Sequence, residues 1–392
     1  MIFKKAFFLL FASDFTFRYG YQIGKMPLLP YFAMILGASE ILVGTILSIS
    51  TLTGMFLKPI IGFLSDQLGR KVWLLIASIF FIFFPFMYQF VVTPTELAIL
   101  RIFHGVATAI LGPVTLALVA DMSDSNSSIK MGVFGMARSA AYLFAPITAG
   151  LILNYFSIEI AFYLIGLISI IGSIPILFIS SKKSNTKNNI SNVTGSLKNL
   201  KDLILNAFRV SFYNKAVWRA GILEFFIYFT TYSVKVFIPL QILTSDSGTF
   251  IKAGIYLTMQ EFFHFLFRPI GGRLGDTWST ELLIRYGLIL MIFSLLNLSL
   301  SQENNMLYIS AVLFGVGQAF VVPASLSLIV KNNNFSHHGS EMGLLGAIRN
   351  SGKIMGPVIS GFALLFLSYS SLFFIMATAI FFYLVFRSVY RQ

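Results

Sequence analysis

The chain has 392 residues, of which 57% are hydrophobic and only 11% are charged, whereas an ordinary soluble domain has about 25% charged residues. This composition excludes a soluble globular fold, because so much apolar surface cannot be hidden from water and lipid must be its solvent. The absence of cysteine excludes disulfides, thiol catalysis and cysteine-based metal sites.

Apolar stretches of about 20 residues predict membrane-spanning helices. The first six lie near residues 6–30, 41–63, 72–92, 94–120, 131–153 and 159–180. Six more lie near 216–243, 249–272, 281–300, 306–330, 342–367 and 369–387. The sequence therefore predicts an all-α membrane protein of twelve transmembrane helices. It has an N-terminal bundle over 1–180, a polar linker over 181–215 and a C-terminal bundle over 216–392.

The formal net charge of +13 has a topological explanation. The linker carries seven basic residues against Asp202 alone. The connections on the opposite side carry mainly acidic residues, which are Glu40, Glu96, Glu159, Asp246 and Glu303. Because lysine and arginine collect in cytoplasmic loops, we expect both termini to face the cytoplasm, in a bacterial inner membrane. The basic balance then requires no nucleic-acid partner.

The two halves of the chain repeat one another at a shift of about 210 residues. Residues 58–66 match residues 268–276, with Lys58-Pro59 aligned on Arg268-Pro269. Glycines and prolines of predicted helices 4 and 5 align with those of helices 10 and 11 in nearly the same register. Two same-sense repeats predict pseudo-symmetric six-helix bundles, with a substrate site near the membrane midplane between them.

The segment between predicted helices 2 and 3 reads GFLSDQLGRK from Gly62 to Lys71. It resembles the signature of the major facilitator superfamily, which implies a transporter that works by alternating access. The resemblance also implies a cytoplasmic gate at this segment and, with altered residues at 279–281, at its second copy. The gate residues are Gly62, Asp66, Gly69, Arg70, Lys71, Gly272 and Asp276.

Two further segments resemble motifs of this family. Arg101 and Gly105 form an Arg-x-x-x-Gly pattern in helix 4, whose arginine the family links to proton coupling. Helix 5 resembles a Gly-Pro motif associated with antiporters, and helix 11 carries a second copy, so the resemblance favours export. The residues expected to pack helices in these motifs are Pro146, Gly150, Gly356, Pro357 and Gly361.

Ionisable residues inside spanning helices are costly and usually face a functional cavity. The repeat aligns Asp14 with Glu224, Lys25 with Lys235, and Arg138 with Arg349. Seven permanent cations stand against three carboxylates, and unpaired positive charge in a cavity favours an anionic ligand. The cations are Arg18, Lys25, Arg101, Arg138, Lys235, Arg349 and Lys353, and the carboxylates are Asp14, Glu224 and Glu261.

The sequence thus predicts a proton-coupled secondary transporter of a small organic anion, such as a carboxylate metabolite or a siderophore, with export favoured. It predicts no cofactor or metal, and a monomer, because one chain contains a complete pathway. The proposed proton-coupling residues are Asp14, Glu224, Glu261, Arg101, His104 and His264. The proposed substrate-binding residues are Arg18, Gln22, Lys25, Arg138, Tyr142, Tyr228, Lys235, Arg349 and Lys353.

Other interpretations stay open at this point. Asp14 is also explained as a static partner of Arg18, and Lys25 and Lys235 as side chains that reach toward the membrane surface. Arg138 and Arg349 are also explained as gate residues that pair with a helix end or a carboxylate. The competing functions are a multidrug effluxer of lipophilic cations or neutral compounds, an importer, and a non-transporting sensor or receptor. Nothing in the sequence indicates an enzyme.

Overall fold

The computed structural model describes residues 5–122, 127–179, 213–245, 247–277, 279–300, 304–330 and 338–389. Most of the predicted linker lies outside the described residues, as do the side chains of Asp66 and Asp276. The described residues contain helices and no strand, which confirms the all-α fold.

Twelve long helices run through the described residues. Helix α1 consists of Lys5–Ile23 and Leu29–Ile35, which are joined by the kinked segment Gly24–Leu28. The others of the first half are α2 Glu40–Leu68, α3 Arg70–Met87, α4 Pro94–Asp121, α5 Ser127–Tyr155 and α6 Ile158–Leu177. The second half has α7 Lys215–Leu243, α8 Phe250–Thr277, α9 Thr280–Leu300, α10 Asn304–Val330, α11 His338–Leu364 and α12 Tyr369–Val389.

Helix α1 is not continuous, and in this respect the predicted single helix over 6–30 is wrong. The backbone of Met26 is extended, with φ −147° and ψ 123°. Pro27 follows it, and a proline disfavours helical geometry in the preceding residue and cannot donate a backbone hydrogen bond. The helix resumes and reaches Ile35.

Nine helices of the described chain are long and apolar enough to cross a membrane. The other three, α1, α8 and α11, carry clusters of charged residues such as Asp14 with Arg18, Glu261 with Arg268, and Arg349 with Lys353. Charged residues lower the mean hydropathy of a helix without preventing it from spanning. Their charged residues therefore explain why these three helices fall below the hydropathy of the other nine.

The ends of several helices follow local capping rules. Thr93 and Glu96 form a capping box at the start of α4, since the Glu96 amide donates to Thr93 Oγ1 and the Thr93 amide to Glu96 Oε2, both at 3.3 Å. Gly69 joins α2 to α3 with φ +92°, a conformation that favours glycine. Helix α2 continues to Leu68, beyond the predicted end at 63, because hydropathy detects the membrane boundary and not the helix end.

The chain divides into two compact units. Unit 1 holds the described residues up to 179 together with Ile242–Gly254, and unit 2 holds those from 213 to Gln241 and from Ile255 onward. Phenylalanines are prominent in the core of unit 1, where the rings of Phe17 and Phe81 stack with centroids 4.9 Å apart. In unit 2, glycines of α11 bring its backbone against the backbone of α7.

The contact between α11 and α7 leaves no room for a side chain at Gly356. A Cβ there would overlap the Phe229 carbonyl and lie 3.0 Å from the Phe229 Cα. We expect Gly356→Ala to lower the free energy of unfolding by about 1–3 kcal/mol, because backbone must move to accommodate the methyl group. Gly343→Ala on the same helix is the control, since no atom of the described residues lies within 4 Å of its Cβ position. Thermal unfolding in detergent measures both, and equal midpoints would contradict the expectation.

Candidate functional site

Asp14 is fully buried in unit 1 and accepts hydrogen bonds from three side chains. Arg18 Nε, one turn further along α1, donates to Asp14 Oδ2 at 2.8 Å. Arg138 Nε of α5 donates to the same oxygen at 3.2 Å, and Thr115 Oγ1 of α4 donates to Oδ1 at 3.0 Å. Arg138 Nη2 in turn donates to Thr115 Oγ1 at 2.8 Å. One carboxylate thus holds three helices and two cations together.

Glu224 is fully buried in unit 2 in a similar arrangement. Arg349 of α11 binds it with two hydrogen bonds, from Nε to Oε2 at 2.6 Å and from Nη2 to Oε1 at 2.9 Å. Ser325 Oγ of α10 donates to Oε1 at 2.8 Å. This bidentate geometry is the strong form of an arginine–carboxylate pair.

The two clusters are copies of one another. Adding 210 to Asp14 and Thr115 gives Glu224 and Ser325, and adding 211 to Arg138 gives Arg349. We call these sets the N triad (Asp14, Thr115 and Arg138) and the C triad (Glu224, Ser325 and Arg349). Neither hydroxyl residue was among the predicted site residues, although the same repeat shift identifies both.

The ion pairs correct one expectation from the sequence. The sequence predicted unpaired positive charge, but four of the seven intramembrane cations form ion pairs. Arg18 and Arg138 bind Asp14, Arg349 binds Glu224, and Lys235 binds Glu261. The spacing of residues in the sequence reveals only ion pairs within one helix, such as Asp14 with Arg18. The partners of Arg138 and Arg349 come from helices distant in sequence.

Two tyrosines of α7 lie beneath the cations of unit 2. The guanidinium of Arg349 lies 5.3 Å from the Tyr228 ring centroid, and Lys353 Nζ lies 4.9 Å from it. Lys353 and Lys235 each lie 5.6 Å from the Tyr232 ring. An aromatic face attracts a cation through its quadrupole. Tyr228 and Tyr232 therefore hold cationic groups on one side of α7, and Tyr232 was absent from the predicted site.

Glu261 of α8 connects Lys235 with a histidine. Besides its ion pair with Lys235, its Oε2 lies 3.8 Å from Nδ1 of His264, one turn along the same helix. Glu261 and His264 therefore lie on the same face of α8. In unit 1, the residue that aligns with Lys235 is Lys25, whose Nζ lies 5.8 Å from the Tyr21 ring. Gln22 beside it is buried.

Arg101 is buried among hydroxyl groups. Its Nη2 donates to Ser50 Oγ at 2.6 Å and to Tyr21 Oη at 3.0 Å, and its Nη1 donates to Tyr88 Oη at 3.5 Å. The Tyr88 hydroxyl also lies 3.2 Å from His104 Nδ1. These partners are uncharged hydroxyl groups, and none of the described carboxylates pairs with Arg101. A permanent cation that is 2% exposed lacks a counter-charge in this cluster.

The repeat supplies an internal control for this cluster. Shifting Tyr21, Ser50, Arg101 and His104 by 210 gives Thr231, Gln260, Ala311 and Phe314. In unit 2, Gln318 bonds to Thr231, and Gln260 Nε2 donates to Gln318 Oε1 at 3.3 Å, so the network there is uncharged. The same position in the fold is therefore built without a buried cation. The repeat as such therefore does not require an arginine at the position of Arg101.

The gate segment contains helix-end contacts. Arg70 binds Asp121, a residue that the sequence analysis missed, and Lys71 Nζ donates to the Leu177 carbonyl at 3.0 Å. In the second copy, Glu281 replaces Lys71 and accepts two hydrogen bonds of 2.8 Å from Arg387, which stands where Leu177 does. In both repeats the start of the third helix thus contacts the end of the sixth, but the residue on the third helix is basic in the first repeat and acidic in the second. The side chains of Asp66 and Asp276 lie outside the described residues, so their role in the gate stays a prediction.

The remaining predicted residues lie at helix contacts or beside the triads. A Cβ on Gly150 would lie 2.5 Å from the Phe250 carbonyl, so α5 packs closely on the start of α8. Gly62 lies beside Pro113, and no described atom lies within 4 Å of a Cβ placed on Gly272. Tyr142 interacts with Arg18. Pro146, Pro357 and Gly361 are buried.

A family model matches nearly the whole chain. The family model described as Major Facilitator Superfamily matches residues 7–223 and again residues 220–391. The chain belongs to the Major Facilitator Superfamily. It is therefore a multi-pass membrane protein and a transporter, and the twelve helices of its described residues match that fold.

Relatives and solved structures show the range of this family. The chain is 23% identical to the multidrug resistance protein MdtG of Proteus mirabilis, over 98% of this chain and 95% of that protein. It is 23% identical to the probable nitrate transporter NarT of Staphylococcus haemolyticus, over 85% and 83%. The crystal structure of the nucleoside transporter NupG superimposes with a TM-score of 0.83 at 14% identity, over 99% and 100% of the chains. The structural likeness shows the fold and not the substrate.

The contrast between Arg101 and Arg349 gives a prediction about stability. We expect Arg349→Leu to lower the free energy of unfolding by about 3–5 kcal/mol, because Glu224 would stay buried without its cation. We expect Arg101→Leu to leave stability unchanged or to raise it by about 1 kcal/mol, because a cation without a carboxylate partner is removed. Heat unfolding of both purified variants in detergent measures the difference. A larger loss in Arg101→Leu than in Arg349→Leu would contradict this assignment.

Proposed function

We propose that this protein is a proton-coupled secondary transporter that moves a small organic anion by alternating access. The observation that carries the proposal is the pair of triads, in which a buried carboxylate of each unit is bound by an arginine from another helix. Such a pair is a two-state element, because the arginine binds either the carboxylate of the protein or the anion of the substrate.

Protonation decides between these two states. A proton on Asp14 or Glu224 removes the negative charge that holds Arg138 or Arg349, and the freed guanidinium then binds an anion more strongly. By thermodynamic linkage, a bound anion favours protonation of the carboxylate by the same factor. Proton and anion therefore bind with positive cooperativity. The other residues of the proposed proton path are Glu261 with His264, and Arg101 with His104.

The charge of the site supports an anionic substrate. The cations around the triads outnumber the carboxylates, and Arg18 and Arg138 share the single carboxylate of Asp14. Tyr142, Tyr228, Gln22 and Lys353 add hydrogen-bonding or aromatic surface to this set. The similarity to a probable nitrate transporter is consistent with an anion, although it comes from the relative and not from this chain.

Multidrug efflux is the second candidate, and similarity to MdtG favours it. A lipophilic cation would bind the carboxylates and the aromatic faces of Tyr228 and Tyr232. It would then compete with protons for Glu224, whereas an anion and a proton assist one another. The two candidates therefore predict opposite effects of pH on binding.

The topology completes the proposal. We place both termini in the cytoplasm of a bacterial inner membrane, on the charge asymmetry of the loops, and take the monomer as the working unit. From the resemblance of α5 and α11 to antiporter motifs we infer only the outward direction, because a proton and an anion that bind cooperatively cross the membrane in the same direction. With positive cooperativity, a metabolite that accumulates in the cell would leave together with a proton, driven by its own gradient.

The sign of the pH effect tests this function. We expect organic anions to stabilise the purified protein in detergent against heat, and to bind more tightly at about pH 5.5 than at about pH 7.5, because protonated carboxylates release the arginines. Glu224→Gln imitates the protonated state of the C triad. At about pH 7.5 we expect this variant to bind anions more tightly than wild type does, and we expect its affinity to change less with pH.

Glu281→Gln is the matched control, since it removes a paired carboxylate at a helix end away from the triads. This variant should retain the wild-type pH effect. Stabilisation by lipophilic cations alone, stronger at the higher pH and lost in Glu224→Gln, would reject the anion proposal and support multidrug efflux.

A further inference from the structure

Lys58 is a cation that the predicted site did not include. It lies in α2, inside the candidate membrane span Glu40–Ser65, and its side chain is exposed. Lys58 makes no hydrogen bond or ion pair with the residues that the structure describes. A charged side chain at this depth is costly unless it meets water or a ligand, so its position requires an explanation.

The neighbours of Lys58 place it beside the N triad. Its Cε lies 3.9 Å from the position of a Cβ on Gly112, and Arg138 Nη2 donates to the Gly112 carbonyl at 3.4 Å. Its Nζ lies 3.7 Å from the Cβ position of Gly54. Both Arg18 and Arg138 are close enough to repel it electrostatically. Two glycines, one on α2 and one on α4, thus leave the space in which the lysine lies.

The charges of this cluster do not balance. Arg18, Lys58 and Arg138 supply three positive charges, and Asp14 supplies one negative charge, whose oxygens already accept from three donors. Arg18 Nη2 is buried and has no hydrogen-bond partner among the described residues. The cluster has a surplus of two positive charges and at least one free donor.

The repeat places a cation at the same position in unit 2. Arg268 aligns with Lys58, each precedes a proline, and each is exposed. Arg268 interacts electrostatically with Tyr228, which also contacts Arg349 of the C triad. Each triad therefore has an additional cation from the second helix of its repeat.

We propose that Lys58, Arg18 and Arg138 form a subsite in unit 1 that binds an oxyanion group carrying two negative charges. This inference rests on the proposed function and narrows its substrate class. Two negative charges balance the cluster while Asp14 is ionised, and a monoanion then leaves a cation uncompensated. A phosphate monoester and a dicarboxylate share this chemistry. Lys58 binds the substrate directly through its ammonium group, and Arg138 passes from Asp14 to the substrate when Asp14 takes up a proton.

The test compares matched anions on the purified full chain in detergent. Titration calorimetry measures binding of phenyl phosphate against its monomethyl ester, and of succinate against its monomethyl ester. We expect wild type to bind the dianions about tenfold or more tightly than the monoanions, as expected for one further charge-assisted contact. We expect Lys58→Met to abolish this preference while it still binds the monoanions, and Lys58→Arg to retain it.

Lys252→Met is the control, because it removes a half-buried lysine of the same unit that donates to the Ser247 carbonyl. This variant should keep the wild-type preference. The inference is overturned if wild type shows no dianion preference, or if Lys58→Met weakens both kinds of anion equally; anion transport would then still stand. Binding of lipophilic cations in place of all four anions would overturn the proposed function itself. A dianion preference limited to phenyl phosphate or to succinate identifies which oxyanion the subsite binds.

Discussion

The burial of one carboxylate against an arginine in each half is the interaction on which this structure depends. A charge in hydrocarbon is expensive, and breaking a buried pair by removal of one partner costs about 3–5 kcal/mol. Asp14 and Glu224 are both fully buried, so the loss of its cation would leave either carboxylate as an uncompensated buried charge. The helices that supply the arginines, α5 and α11, are thereby tied to α1 and α7. Any event that neutralises the carboxylate loosens those ties.

The repeat shows which features the fold needs and which belong to function. Both halves retain the triad, so the carboxylate, the hydroxyl and the arginine are the part of the candidate site that the two halves share. The halves differ at Arg101, where unit 2 has Ala311 and an amide network. They differ again at the helix ends, where Lys71 on a carbonyl is replaced by Glu281 on Arg387. The shared features fit a common two-state mechanism, and the differences make the halves chemically distinct.

Much of the fold was readable from the sequence because hydropathy and the repeat are long-range signals. Twelve apolar stretches predicted the twelve helices. The segment between helices 2 and 3 resembles the family signature, and this resemblance identified the family. The break at Met26 and the full length of α2 were missed, because apolar length does not report local backbone geometry. The charged residues were found, but their pairing was not. Spacing identifies the Asp14–Arg18 pair, whereas Arg138 and Arg349 reach their carboxylates across the bundle.

The missed residues have a common explanation. Thr115, Ser325 and Lys58 are ordinary residues in sequence, and only their distances to the triads give them meaning. The repeat shift of 210 already contained part of this information, since it maps Thr115 onto Ser325 and Lys58 onto Arg268. Extending the alignment of charged residues to hydroxyl residues would have identified Thr115 and Ser325, whereas Lys58 and Arg268 were aligned but not placed among the candidate site residues.

The central claim is that an anion and the buried carboxylates compete for the same arginines, so that anion binding draws protons onto the protein. Titration calorimetry of a stabilising organic anion, repeated in buffers of different ionisation enthalpy, measures this proton uptake directly. The account predicts net uptake of protons on binding in wild type, and none in the double variant Asp14→Asn, Glu224→Gln. Binding with no proton exchange, or with proton release, would contradict it.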